Sequence, residues 1–194
     1  MLAVNLEFPH SYQVSDVPEL PGSGTSPIPV YRFPRLEPAG RGEQDGIWLM
    51  VKRSVGEPWI GVFSIGGLGH STFFTGVNST PNPGRLCVVA HGNGYLVNTN
   101  DPDDWEQIPV HPIRDVRALV EHNLILFCDF AGIVACGESG VVWRSPRLCW
   151  DHLKIEKITA QTIEGSGYDP TSETGVMRFL LDINTGKPLP HVQH

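Results

Sequence analysis

The sequence predicts an all-β chain of short antiparallel strands, and three observations predict it. Its apolar runs are strand-sized, rich in β-branched or aromatic residues, and bounded by Gly, Pro, Asn or Asp. Glycine (21) and proline (17) are abundant, which favours many turns over long helices. A segment also recurs: Val88-Val89-Ala90-His91-Gly92 matches Ile133-Val134-Ala135-Cys136-Gly137 at an offset of 45 residues.

Residues 1–43 differ in composition from the rest of the chain. They carry Pro9, Pro18, Pro21, Pro27, Pro29, Pro34 and Pro38 and the run Gly22-Ser23-Gly24-Thr25-Ser26. Proline withholds a backbone donor and disfavours helix in the residue before it. This stretch reads as a Pro-rich extended N-terminal arm with one edge strand, Ile28 to Phe33. Residues 44–194 read as the β domain. Strands are expected at Ile47–Lys52, Trp59–Ile65, Thr72–Val77, Leu86–Ala90 and Tyr95–Asn98. The series continues with Leu124–Cys128, Ile133–Cys136, Val141–Arg144, His152–Ile158 and Val176–Leu181. Between Ile113 and Glu121, Val116, Leu119 and Val120 recur at i, i+3, i+4. That pattern suits two helical turns or a strand equally.

Both copies of the repeat continue into a second glycine and an apolar strand, Gly94-Tyr95-Leu96-Val97 and Gly140-Val141-Val142-Trp143. A tryptophan comes after each at the same offset, Trp105 and Trp150. Weaker copies surround Asp45-Gly46-Ile47-Trp48 and Ile163-Glu164-Gly165. A period near 45 with several strands per unit predicts a propeller-like stack of antiparallel units, each sheet buried by its neighbours. A β-sandwich or irregular barrel is the alternative. The tryptophans, with Trp48, Trp59 and Trp143, are expected between sheets.

Gly92-Asn93-Gly94-Tyr95-Leu96-Val97-Asn98-Thr99-Asn100-Asp101-Pro102-Asp103-Asp104-Trp105 resembles the Asp-box repeat of bacterial neuraminidases and photosystem-assembly-factor propellers. Thr99, Asp101 and Trp105 fall at that motif's Ser/Thr, Asp and Trp positions. Asp103 and Asp104 replace its glycine and threonine. The stretch Gly140 to Trp150 keeps Ser145 and the tryptophan, is one residue short and lacks the aspartate. The resemblance covers roughly residues 72–158 and implies a β-propeller. In such repeats the aspartate is a turn device that accepts backbone hydrogen bonds, so the resemblance implies a fold rather than an activity.

Composition narrows the function classes. The net charge is −7, and the ten arginines and four lysines form no basic stripe, which argues against a nucleic-acid partner. The acidic balance suits a basic protein partner. No apolar run approaches the ~18 residues of a membrane span, and Met1–Glu7 lacks the features of a signal peptide. Cys87, Cys128, Cys136 and Cys149 lie in apolar strand-like contexts without C-x-x-C spacing. They read as buried thiols in a reducing, cytoplasmic setting rather than as disulfides or metal ligands.

The candidate binding residues are His91 and Asn93 at the Gly92–Gly94 turn, Asp129, Glu138 and Asp151. Each stands beside a turn, where binding groups are carried. Cys128-Asp129 and Asp151-His152 contain nucleophile and base types, but their spacing does not demand a catalytic set, and no G-x-S-x-G elbow is present. Glycoside cleavage needs two neighbouring acids, and the sequence does not pair Asp129, Glu138, Asp151 or Glu164. Neuraminidase chemistry would want a tyrosine beside an acid, and neither Tyr95 nor Tyr168 is placed there. Gly66-Gly67-Leu68-Gly69-His70 reads as a hairpin loop, because no helix comes after it to cradle a phosphate. Gly165–Pro170 reads as a mobile loop and Asp182–Lys187 as a turn. The expectation is a non-catalytic binding or scaffold protein that presents a loop-rich face to a protein partner, with no metal or cofactor. The alternatives are a divergent carbohydrate-active hydrolase and a structural subunit of a homo-oligomer.

Overall fold

Alternating apolar residues and frequent turn residues give strands that must bury their faces against other strands. A computed structural model shows how this chain does so, over residues 2–17, 26–34, 46–65 and 73–190. The chain is all-β apart from one 3-10 turn, Val120–His122, among the described residues.

Sheet I joins β2 (Tyr12–Asp16), β4 (Gly46–Arg53), β5 (Trp59–Ser64) and β3 (Val30–Phe33), in that order. Sheet II joins β1 (Ala3–Asn5), β6 (Gly76–Ser79), β7 (Arg85–Ala90), β8 (Asn93–Asn98) and β9 (Trp105–Gln107). Sheet III is β10 (Asp115–Leu119), β11 (Leu124–Cys128), β12 (Ile133–Gly137) and β13 (Gly140–Arg144). Sheet IV is β14 (Asp151–Ile158), β15 (Thr162–Tyr168) and β16 (Val176–Asp182). Neighbours are antiparallel except β1 with β6 and β3 with β5. The segment expected as an arm therefore lends β1, β2 and β3 to two sheets. The Gly66–His70 loop, and Gly22–Thr25 of the glycine-serine run, lie outside the described residues.

The core has three layers. Phe33, Leu49, Trp59 and Phe63 of sheet I meet Val77, Leu86, Val88, Tyr95 and Val97 of sheet II. The other face of sheet II, with Cys87, Val89 and Leu96, meets Val116, Ile125, Phe127 and Val134 of sheet III. Leu124, Leu126, Ile133 and Trp143 of sheet III meet Ile155, Ile163, Phe179 and Leu181 of sheet IV. Strands buried on both faces read as continuous apolar runs, and β7 and β11 do so. The outward face of sheet IV carries ion pairs instead: Glu156–Arg178 at 3.7 Å and Lys157–Glu164 at 3.6 Å. The same face also exposes Tyr168 and Val176 at one edge, so it is mixed in character.

The structure changes which segments correspond. Gly76 and Asp115 open the first strands of the sheet II and sheet III meanders, and Arg85 and Leu124 open the second. Both pairs lie 39 residues apart. The equivalent of the His91 turn is thus the turn after Cys128, not Cys136. The 45-residue match aligns the β7–β8 hairpin with the β12–β13 hairpin, one strand out of step. Any apolar strand ending in glycine gives the same string, so the string alone cannot tell one hairpin of a sheet from the next.

A second correspondence spans two sheets. Trp59 Nε1 donates to the Thr99 carbonyl at 3.0 Å and Trp143 Nε1 to the Ile183 carbonyl at 2.9 Å. Donors and acceptors are each 84 residues apart. In a similar relation, the Asn98 N–H donates to Asp104 O and the Asp182 N–H to Lys187 O. Residues 187–189 therefore trace along β16 as β9 traces along β8, with Leu181 bridged to Pro188. Trp59 and Trp143 are the inter-sheet tryptophans. Trp105 packs at the edge of the sheet I–II layer. Trp150 departs from the expectation of core packing: it is 55% exposed, because it lies beyond the end of sheet III in the link to β14.

Two further segments differ from the sequence reading. Ile113–Glu121 is strand β10 followed by the 3-10 turn. Gly165-Ser166-Gly167, expected as a loop, is the middle of β15. A Cβ at Gly165 would strike the Lys154 carbonyl and the Phe179 ring, and one at Gly167 would strike Cys149 Sγ. These glycines let Phe179 and Cys149 close onto the strand.

All four cysteines are buried free thiols. Burial pushes the Cys136 thiol up to about 12, helped by nearby Glu106, and holds Cys87, Cys128 and Cys149 above the usual thiol range. Neutral buried thiols behave as small apolar side chains. Among the described residues, no helix is long and apolar enough to cross a membrane.

Candidate functional site

The stack has two ends, and the expected site residues divide between them. At one end lie the β7–β8 turn, the β11–β12 turn and the start of β14. Backbone bonds tie these together: Ile113 N–H to Gly92 O, Arg114 N–H to Cys128 O, and Leu153 N–H to Phe130 O. His91, Asn93, Asp129 and Asp151 are all at this end. Glu138 is not. It sits in the β12–β13 turn at the opposite end, where its carbonyl accepts from Asn82 Nδ2 at 3.4 Å.

His91 occupies a left-handed turn conformation (φ 46°). Its N–H donates to Thr75 Oγ1 at 3.1 Å, and its buried Nδ1 makes no hydrogen bond among the described residues. Asn93 Nδ2 donates to the Ile65 carbonyl at 2.9 Å, clasping the end of β5 to the β7–β8 hairpin.

Asp129 and Asp151 line one cleft of about 600 Å³, which neither His91 nor Asn93 lines. The Pro109–His111 link, the turn Asp129–Gly132 and the segment Arg144–Arg147 form its walls, with Trp150 and Asp151 beside them. Asp129 Oδ1 accepts from the Ala131 and Gly132 N–H groups, both at 2.7 Å. This is the local side-chain-to-backbone pattern that makes Asp a turn residue. Ser145 Oγ accepts from the Ile133 N–H at 3.0 Å and donates to Pro146 O at 2.8 Å, fixing the opposite wall. Asp151 Oδ1 accepts from the His152 N–H at 2.6 Å and lies 3.9 Å from Arg114 Nη1. Arg114 also stacks over Phe130 at 4.8 Å.

Two residues missed by the sequence reading line the cleft beside Trp150. Arg144 Nη1 donates to Pro109 O at 3.0 Å. Arg147 donates to the Cys149 and Trp150 carbonyls at 2.9 and 3.1 Å. Its guanidinium lies 5.1 Å from the Trp150 ring centroid. The available signal is the pair of arginines flanking Ser145-Pro146, which a search for a basic stripe overlooks. Gly132 lies in the turn wall, where a Cβ would meet Ser145 Oγ at 3.6 Å and Asp129 Oδ1 at 3.8 Å, ordinary contacts.

Among the described residues, no three His, Cys, Asp or Glu side chains gather to hold a metal ion. No protein-family model matches this chain, and no curated protein matches it. A solved assembly, a variant of S. cerevisiae Dbp5 bound to Nup159, a Gle1 variant, IP6 and ADP, aligns over 96% of this chain and 70% of that one. The identity is 8% and the TM-score 0.34, a similarity on which no functional argument rests.

Proposed function

We propose that this chain is a non-catalytic binding module, a propeller-like stack of sheets that engages a protein partner through the cleft where sheets III and IV meet. One observation carries the reading. The cleft holds two carboxylates, the minimum for glycoside cleavage, and both are engaged in structure. Asp129 is held by two backbone N–H groups, and Asp151 by the His152 N–H and Arg114. The exposed residues of its lining are Pro109, His111, Arg144, Pro146, Arg147 and Trp150, and tryptophan and arginine are the residue types that most often anchor protein partners.

A photo-crosslinking amino acid at position 150 tests it, with Thr162 on the outer face of sheet IV as the control position. In native lysate, position 150 is expected to give one adduct of discrete mass that disappears when Gly132→Leu fills the cleft. No adduct, or an equal adduct from position 162, would contradict the proposal.

A further inference from the structure

We infer that the occupant of this cleft is an extended acidic segment of a protein partner, recognised through its carboxylates by Arg144 and Arg147 and through an apolar or proline side chain by Trp150. The inference rests on the binding reading above and adds the chemistry of the ligand.

The cleft's charges are unequally used. Its two acids are both hydrogen-bonded within the chain. Its two arginines meet no carboxylate among the described residues. Arg144 gives one donor, and Arg147 two, to backbone carbonyls, out of the five that a guanidinium offers. Arg53 is likewise held by carbonyls, those of Glu57 and Asn100, whereas other arginines meet acids. Arg85 pairs with Asp104 and Glu106, Arg117 with Asp115, and Arg178 with Glu156. Arg144 and Arg147, with Arg114 beside Asp151, set three guanidinium groups against the two carboxylates of the cleft, a local excess of one positive charge in a chain of net charge −7. Planar guanidinium forks match carboxylates.

The arginines are also held in place before anything binds. Arg147 is fixed by two carbonyls and by stacking on Trp150, and Arg144 by Pro109 O. Tethering of this kind lowers the ordering cost of binding. Trp150 presents a half-exposed ring beside them. A cleft of about 600 Å³ admits a few side chains of an extended segment rather than a folded domain. The local field therefore selects the opposite partner charge from the one suggested by the net charge of the chain.

The test uses three labelled peptide pools on the full chain, read by fluorescence anisotropy. One pool mixes Asp and Glu with Trp, Leu and Pro; the second replaces each acid by Lys; the third replaces it by Ser. The acidic pool should bind at least about tenfold more tightly than the Ser pool, as expected for charge-assisted hydrogen bonds. Arg144→Glu/Arg147→Glu should abolish that preference, with circular dichroism confirming the fold. Gly132→Leu should weaken all binding at the cleft. A Lys pool that binds best and is lost in Gly132→Leu would overturn the acidic ligand and leave the binding reading standing. Acidic-pool binding that is indifferent to the arginine reversal would also overturn the inference. No saturable binding by any pool would count against both.

Discussion

Replacing Gly165 by valine should cost about 3 kcal/mol or more, because the added atoms must displace backbone rather than a flexible side-chain tip. Gly165 sits in β15, the middle strand of sheet IV. Its missing Cβ leaves room for the Lys154 carbonyl on one neighbour and the Phe179 ring on the other. Phe179 in turn packs against sheet III with Ile155, Ile163 and Leu181. The damage therefore spreads through the layer that seats β14 and the Asp151 side of the cleft. At ~2–4 °C per kcal/mol for a chain of this size, the melting midpoint should fall by about 6–12 °C. Scanning calorimetry or thermal circular dichroism measures it. A fall below about 3 °C would mean that β15 is not packed in this way. Glycine at 140, where a Cβ would meet nothing within 4 Å but φ is 109°, separates strain from crowding: Gly140→Ala should carry only the smaller conformational penalty.

Trp143→Ala should be comparably severe, about 3–5 kcal/mol. The indole is buried between sheets III and IV, and Gly186 at φ 65° lies against it so closely that a Cβ there would overlap the ring. Trp143→Phe separates the two contributions. It keeps most of the apolar contact but leaves the Ile183 carbonyl without its donor, for about 1–3 kcal/mol. Urea titrations should lower the midpoint of both variants, and further for Trp143→Ala. Equal losses would assign the whole effect to the hydrogen bond, and no loss from Trp143→Phe would remove the bond as a link between sheets.

Much of the fold is legible in the sequence because strands buried on two faces are written as continuous apolar runs. Leu124–Cys128 matches β11 to the residue, and Ile47–Lys52, Leu86–Ala90 and Ile133–Cys136 match their strands to within one residue at each end. Glycine obscures β15. Gly165 and Gly167 carry the same letters as a flexible loop, and only the Phe179 and Cys149 side chains arriving from elsewhere reveal why they sit in a strand. The tryptophan repeat misleads for a related reason. Spacing aligns Trp105 with Trp150, whereas the pair that performs the same bond in two places is Trp59 and Trp143, visible only with their acceptors Thr99 and Ile183. For the site, turn position singles out Asp129 and Asp151 without pairing them, and the structure places both at one cleft. Turn position does not distinguish one end of the stack from the other, so it groups Glu138 with residues at the opposite end. The arginines escape a reading by net charge because net charge averages over the whole surface, while a cleft is governed by the few charges that face it.

The central structural claim is that the sheets stack in chain order and are bridged by indole hydrogen bonds that recur after 84 residues. Hydrogen exchange at the five tryptophan indole N–H groups, read by NMR, tests it most directly. Trp59 and Trp143 should be strongly protected, and Trp150 should exchange rapidly. Exchange at Trp143 as fast as at Trp150 would contradict the stack and, with it, the cleft that the stack creates.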